Sequence, residues 1–115
     1  MKNKISDTAR LSHIIDAMLE IEQYVANESY DSFIQNSMMQ SASIRQLEII
    51  GEASNHLSEN ITNELAEVEW REIVGLRNLL IHDYFGIDLK IVWDVIQIDV
   101  PNLKRIIQDY QKNKS

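Results

Sequence analysis

The chain has 115 residues, 44% of them hydrophobic, with three glycines, one proline and no cysteine. That is enough for one domain, residues 1–115, and too little for two cores; it also excludes disulfides and thiolate metal sites. A formal charge of −7 excludes a broad basic surface for nucleic acid, so any RNA contact has to be local. MKNKISDTARLSHIIDAM interrupts its apolar positions with Asp, Arg and His, and no run of about 18 apolar residues follows, so a cytoplasmic protein with no membrane association is expected.

Leu11, Ile14, Ile15, Met18, Ile21 and Val25 share one buried stripe, which predicts a first helix from about Asp7 to Ala26. Asn27 to Ser29 break it, and SYDSFIQN reads as a short helical link with Ser29 as N-cap and Phe33 against the core. A third segment, from about Ser37 to Leu57, carries Met38, Ala42, Leu47, Ile49, Ile50, Ala53 and Leu57 on an apolar arc. Gly51 interrupts it at a cost of about 1 kcal/mol relative to Ala, which points to a close helix approach. SENITNEL reads as a polar connection, and a fourth helix runs from Glu69 or Trp70 to near Gly86.

The last helix starts with Asp88 as N-cap and Ile87 as a staple to Val92. It carries Trp93, Val95, Ile96, Leu103, Ile106, Ile107 and Tyr110, and Pro101 kinks or splits it. Trp70 and Trp93 are expected as core or interface anchors. The fold class is therefore all-α, a compact up-and-down bundle of four main helices plus one short helix. Glu48, Glu52, Glu59, Glu64, Glu67 and Glu69 lie in a stretch without Lys or Arg, while Lys104, Arg105, Lys112 and Lys114 gather near the end. This reads as a solvated helix face and a basic tail.

RNLLIHDYFGID, Arg77 to Asp88, sets Arg77, Asn78, His82, Asp83 and Tyr84 in an apolar segment. At about 100° per residue, Leu76 and Leu80 fall on one side of Ile73 and Ile81 and Val74 on the other, and Arg77 falls inside that arc, with Tyr84 about 20° away and His82 about 140° away beside Asn78. In one reading Arg77 is neutralised by Glu48 or Glu52 and His82 is an ordinary surface histidine. In the other, a two-fold copy of the helix brings both Arg77 and both His82 into one cleft. A guanidinium fork for a phosphodiester and an imidazole that titrates near neutrality suit metal-free RNA cleavage by the 2′-hydroxyl. His13 and His56 are read as surface residues, and neither a metal nor a cofactor is expected.

RNLLIHDY resembles the Arg-Asn, His, x, Tyr signature of HepT-like toxins of the HEPN superfamily, with four residues between Arg and His. IIGEASNHLSE resembles their Gly-Glu-Ala segment, VEWREIVGLRN the Trp-to-Arg approach, and GIDLKIVWDVIQIDVPNLKRII the closing segment; the likeness runs in order from Tyr24 to Ile107. The resemblance implies a helical, HEPN-like homodimer with the motif at its interface, acting as the endoribonuclease toxin of a toxin–antitoxin system. Its partner would be an MntA-like nucleotidyltransferase antitoxin that transfers AMP to Tyr84. Carried over, Arg77 would stabilise the phosphorane-like transition state, His82 would move protons, and Asn78 would orient the phosphate or the ring. Glu52 is a candidate support for Arg77 or His82, and Asp83 a further charge. The alternative is a non-catalytic helical dimer that binds a nucleotide or docks a nucleotidyltransferase.

Overall fold

The computed structural model describes residues 5–82 and 86–114, with the side chain of residue 82 outside that description. The first helix, α1 (Asp7–Val25), starts where the Ser6 hydroxyl accepts the Ala9 N–H at 3.1 Å. It buries Leu11, Ile14, Ile15, Ala17, Met18 and Ile21 on one side, the stripe its spacing predicts. Asn27, at φ 63°, takes the left-handed conformation that asparagine tolerates and turns the chain back. Ser29 and Ser32 then form a reciprocal capping box at the head of α2 (Tyr30–Ile34), which exists to seat Phe33 in the core.

Asn36 caps α3 (Ser37–Asn55) by accepting the Met39 N–H at 3.0 Å. The buried residues of α3 are Met39, Ser43, Leu47, Ile50, Gly51, Ala53 and Ser54. Met38, expected on the apolar arc, is instead 80% exposed. The reason is phase: the buried face of α3 includes two serines and a glycine, and Met39 rather than Met38 falls on it. Small side chains there let α3 lie between α1 on one side and α5 on the other.

SENITNEL is not a plain connection but contains α4 (Glu59–Glu64), capped by Ser58 and anchored by the buried Ile61. The Ser58 backbone N–H donates to Asp7 Oδ1 at 3.0 Å, tying this turn to the start of α1. The helix that carries the motif, α5 (Trp70–His82), begins with the Trp70 indole N–H donating to the Leu65 carbonyl at 3.1 Å. Residues 83–85, where it is expected to end, lie outside the described residues, and Gly86 is in a turn.

Asp88 caps α6 (Leu89–Asp94) through the N–H groups of Lys90 and Ile91. A π-helical turn (Val95–Asp99) follows and leads into α7 (Val100–Lys114). Pro101 has no N–H to donate and its ring crowds the carbonyl four residues back, so the preceding turn widens instead of continuing as an α-helix. The extra residue leaves Ile98 exposed while Ile96, Val100, Leu103, Ile106 and Ile107 stay buried. Trp93 packs its ring on Phe33 and Tyr30, with centroids 5.1 and 6.4 Å away. The four long helices are thus α1, α3, α5 and α7, and among the described residues every regular element is helical and no helix is long and apolar enough to cross a membrane.

Gly51 decides how closely α3 and α5 approach. A methyl group at Gly51 would overlap Arg77 Cβ and come within 2.9 Å of Arg77 Cγ and 3.3 Å of the Ile73 carbonyl, whereas one at Gly75 would meet nothing within 4 Å. Cβ cannot swing aside as a side-chain tip can, so overpacking at Gly51, about 1–3 kcal/mol, outweighs the gain of about 1 kcal/mol from better helix propensity. Gly51→Ala should lower the midpoint of a circular-dichroism melt by several degrees, and Gly75→Ala should hold or raise it. A Gly51→Ala protein as stable as the Gly75→Ala one would show that the helices are not in tight contact.

Candidate functional site

Ile73, Leu76 and Leu80 pack α5 against the core, and Arg77 lies on the same side of the helix, facing α3. Its stem passes over Gly51, the one residue type that leaves room for it. The guanidinium emerges beside Glu52, the next residue of α3, with Nη2 2.6 Å from Glu52 Oε1. Nη1 donates to Asn78 Oδ1 at 3.1 Å, and Nε is buried without an acceptor among the described residues. The other Glu52 oxygen lies 2.9 Å from His56 Nε2. Asn78, Arg77, Glu52 and His56 therefore form one chain of polar contacts.

Glu52 is 49% exposed and the Arg77 side chain 26% exposed, so water screens the pair. Its contribution to stability is on the order of 1 kcal/mol or less. Its larger effect is orientational: two donors on the fork are held and the plane of the guanidinium is set.

Above this pair lies a cleft of about 330 Å³, lined by Arg10 and His13 of α1, by Arg45, Glu48, Ile49, Glu52 and Ala53 of α3, and by Arg77 and Ile81 of α5. Three of the five arginines in the chain line it. Since no lysine does, its positive charge is carried entirely by planar forks suited to phosphate. A second cleft, about 290 Å³ between α5 and α7, has the opposite character, with Glu67, Glu69, Glu72 and Asp99 around Ile73, Leu76 and Leu103.

The structure brings Arg77, Asn78 and Glu52 together. Of the two carboxylates weighed as the partner of Arg77, Glu52 takes the role and Glu48 turns to Arg45 at 3.5 Å. Asn78 reaches Arg77 through its own side chain, although it projects about 100° further round the helix. The His82 side chain, Asp83 and Tyr84 lie outside the described residues.

His56 is a surface residue as expected, but it shares Glu52 with Arg77. The signal for it was the spacing of Glu52 and His56, four residues apart on one helix. Arg10 and Arg45 were not singled out from the sequence, and His13, read there as a surface residue, is exposed but lines the cleft. Arg10 precedes Ile14 by one helical turn, a position at the edge of the core stripe, which was the trace of it. Among the described residues no group of three His, Cys, Asp or Glu is arranged to hold a metal ion.

The family model described as "Ribonuclease HepT-like" matches residues 14–110. "Putative RNase MJ1380" of Methanocaldococcus jannaschii is 40% identical over 100 residues, 87% of this chain and 92% of its own length. "Putative RNase MJ0127" of the same organism is 37% identical over 107 residues, 90% of this chain and 88% of its own length. "Probable ribonuclease HepT" of Thermococcus cleftensis is 35% identical over 102 residues, covering 89% of this chain and 93% of that protein. No solved structure gives a significant match. With the family model spanning the helices from α1 to α7, and so the whole frame that carries Arg77, this chain belongs to the HepT-like ribonuclease family.

Proposed function

We propose that this protein is the toxin of a toxin–antitoxin system, a metal-independent endoribonuclease whose centre is Arg77 and His82 at a two-fold dimer interface. The observation that carries the reading is Arg77 itself: a guanidinium fixed in orientation by Glu52 and Asn78, at the wall of an arginine-lined cleft in a chain of net charge −7. Family membership and the ribonuclease names of the relatives support the same reaction class.

In this mechanism His82 removes the proton of a ribose 2′-hydroxyl and the 2′-oxygen attacks the adjacent phosphorus. The bond to the 5′-oxygen breaks, that oxygen takes a proton, and a 2′,3′-cyclic phosphate and a 5′-hydroxyl result. Arg77 holds the equatorial oxygens, where negative charge grows in the transition state. Glu52 and Asn78 keep the fork from rotating away. Because five residues along a helix amount to about 140°, Arg77 and His82 of one chain diverge, and a two-fold copy supplies the missing group. Leu79, half-exposed on the same helix, is an apolar residue for such a contact.

Control comes from a nucleotidyltransferase antitoxin. The Tyr84 phenol oxygen attacks the α-phosphorus of ATP, pyrophosphate leaves, and the phenol loses its proton. The AMP phosphate then lies near Arg77, where it competes with the scissile phosphate and repels an incoming backbone. The net charge of −7 favours the second reading, a dimer that docks the nucleotidyltransferase without cutting RNA.

Three measurements separate these readings. Light scattering should give about twice 13.4 kDa, and a monomer at micromolar concentration would remove the shared cleft. His82→Ala should slow RNA cleavage by roughly 10²–10⁴-fold with an unchanged melting curve. Cleavage by His82→Ala at the wild-type rate would place the chemistry elsewhere, and a wild-type dimer that cuts no RNA would select the docking reading. With ATP, magnesium and the partner enzyme, AMP mass should map to Tyr84 and vanish in Tyr84→Phe, which itself stays toxic. Mass on Tyr24, Tyr30 or Tyr110 would sink the regulatory step.

A further inference from the structure

The three arginines of the cleft are not equally answered. Arg77 has Glu52, and Arg45, 70% exposed at the rim, reaches Glu48 at 3.5 Å. Arg10 makes no ion pair among the described residues, and its Nε, like that of Arg77, is buried without an acceptor. Two buried N–H donors on two cations of one cleft leave hydrogen bonds unmade, and a native structure rarely leaves such donors without an acceptor to come. Counting charged side chains on the walls, Arg10, Arg45 and Arg77 face Glu48 and Glu52, so this cleft has an excess of cations while the chain as a whole is acidic.

We propose that Arg10, with His13 beside it and Arg45 at the rim, forms a second phosphate subsite that holds the RNA backbone next to the phosphodiester bound by Arg77. The inference rests on the ribonuclease reading of that site and adds the residues that position its substrate. Arg10 and His13 are three residues apart and so share one face of α1, while Arg45 and Arg77 come from α3 and α5. Three rigid helices thus present cations to one volume, and the donors need little reordering when a phosphate arrives.

A cleft of about 330 Å³ has room for a nucleotide unit and not for a duplex. A single strand is therefore the form of RNA it takes. Ile49, Ala53 and Ile81 give the walls an apolar part with no charge to oppose a ribose or a base. The acidic cleft between α5 and α7 repels phosphate, which confines the strand to the Arg10 side.

The test uses the full-length protein and a fluorescein-labelled 2′-O-methyl oligoribonucleotide of random sequence, which lacks the attacking hydroxyl, so that anisotropy reads binding without cleavage. In a potassium chloride series, Arg10→Gln should weaken binding about 10-fold and reduce the slope of log affinity against log salt by about 0.7, the share of one phosphate contact on a single strand. Arg10→Lys should restore the slope while leaving part of the affinity lost, because it keeps the charge and loses the fork. Arg45→Gln, at an exposed rim position, should move affinity and slope in the same direction by about 3-fold in affinity. If Arg10→Gln does not fold, Arg45→Gln and Arg10→Lys decide the question. Arg10→Gln and Arg45→Gln binding RNA with wild-type affinity and slope, while Arg77→Ala binds more weakly, would overturn the second subsite and leave the ribonuclease reading standing. A wild-type protein that binds no RNA would overturn the ribonuclease reading and the subsite with it.

Discussion

The closeness of α3 and α5 at Gly51 and Arg77 is the constraint from which the rest of the site follows. Gly51 contributes no side chain, so the aliphatic stem of Arg77 occupies the space where a Cβ would be. A long cationic side chain can then lie between two packed helices and still deliver its charged head to the surface. Where the head emerges is set by the same contact. Glu52 follows Gly51 directly, about 100° further round α3, and meets the guanidinium as it leaves the interface. Had the helices been spaced by an ordinary side chain, the fork would sit further from α3 and lose the carboxylate that orients it.

That arrangement places a cationic cleft on an acidic molecule, and the two properties do not conflict. Charges in solution are screened over roughly 8–10 Å at ordinary ionic strength, so a phosphate at Arg77 responds mainly to the groups lining its own cleft. Those are arginines from three helices with two glutamates between them. The carboxylates along the α5–α7 cleft lie in a different group of residues altogether. Net charge therefore does not decide whether one cleft attracts an anion; the charges that line that cleft do. An arginine paired with a single half-exposed glutamate also keeps donors to spare, since a guanidinium has five N–H groups and the pair uses few of them.

The rest of the bundle holds this contact in place by ordinary means. Hydroxyl and amide side chains cap α1, α2, α3 and α4, and Asp88 caps α6. The Trp70 indole fixes the start of the motif helix, and the cluster of Phe33, Tyr30 and Trp93 joins α2 to α6. The π turn before Pro101 changes the phase between α6 and α7, so that both halves bury their apolar residues against one core.

The sequence by itself determined the helices, most of their ends and the place of the motif, because each of these depends on neighbours within about one turn. The stripe of α1, the caps at Ser29 and Asp88, the break at Pro101 and the position of Arg77 on the core side of its helix are all of this kind. Gly51 also signalled a close approach, though not of which helix. Only the tertiary structure chose Glu52 over Glu48 for Arg77, turned Met39 inward in place of Met38, buried Ser43 and Ser54, and folded Glu59–Glu64 into a helix. It alone brought Arg10 of α1 to the same cleft as Arg77 of α5. Periodicity within a helix follows from backbone geometry common to every sequence. The rotation and spacing of one helix against another follow from the volumes of the side chains between them, and those volumes act only once the chain has brought distant residues together.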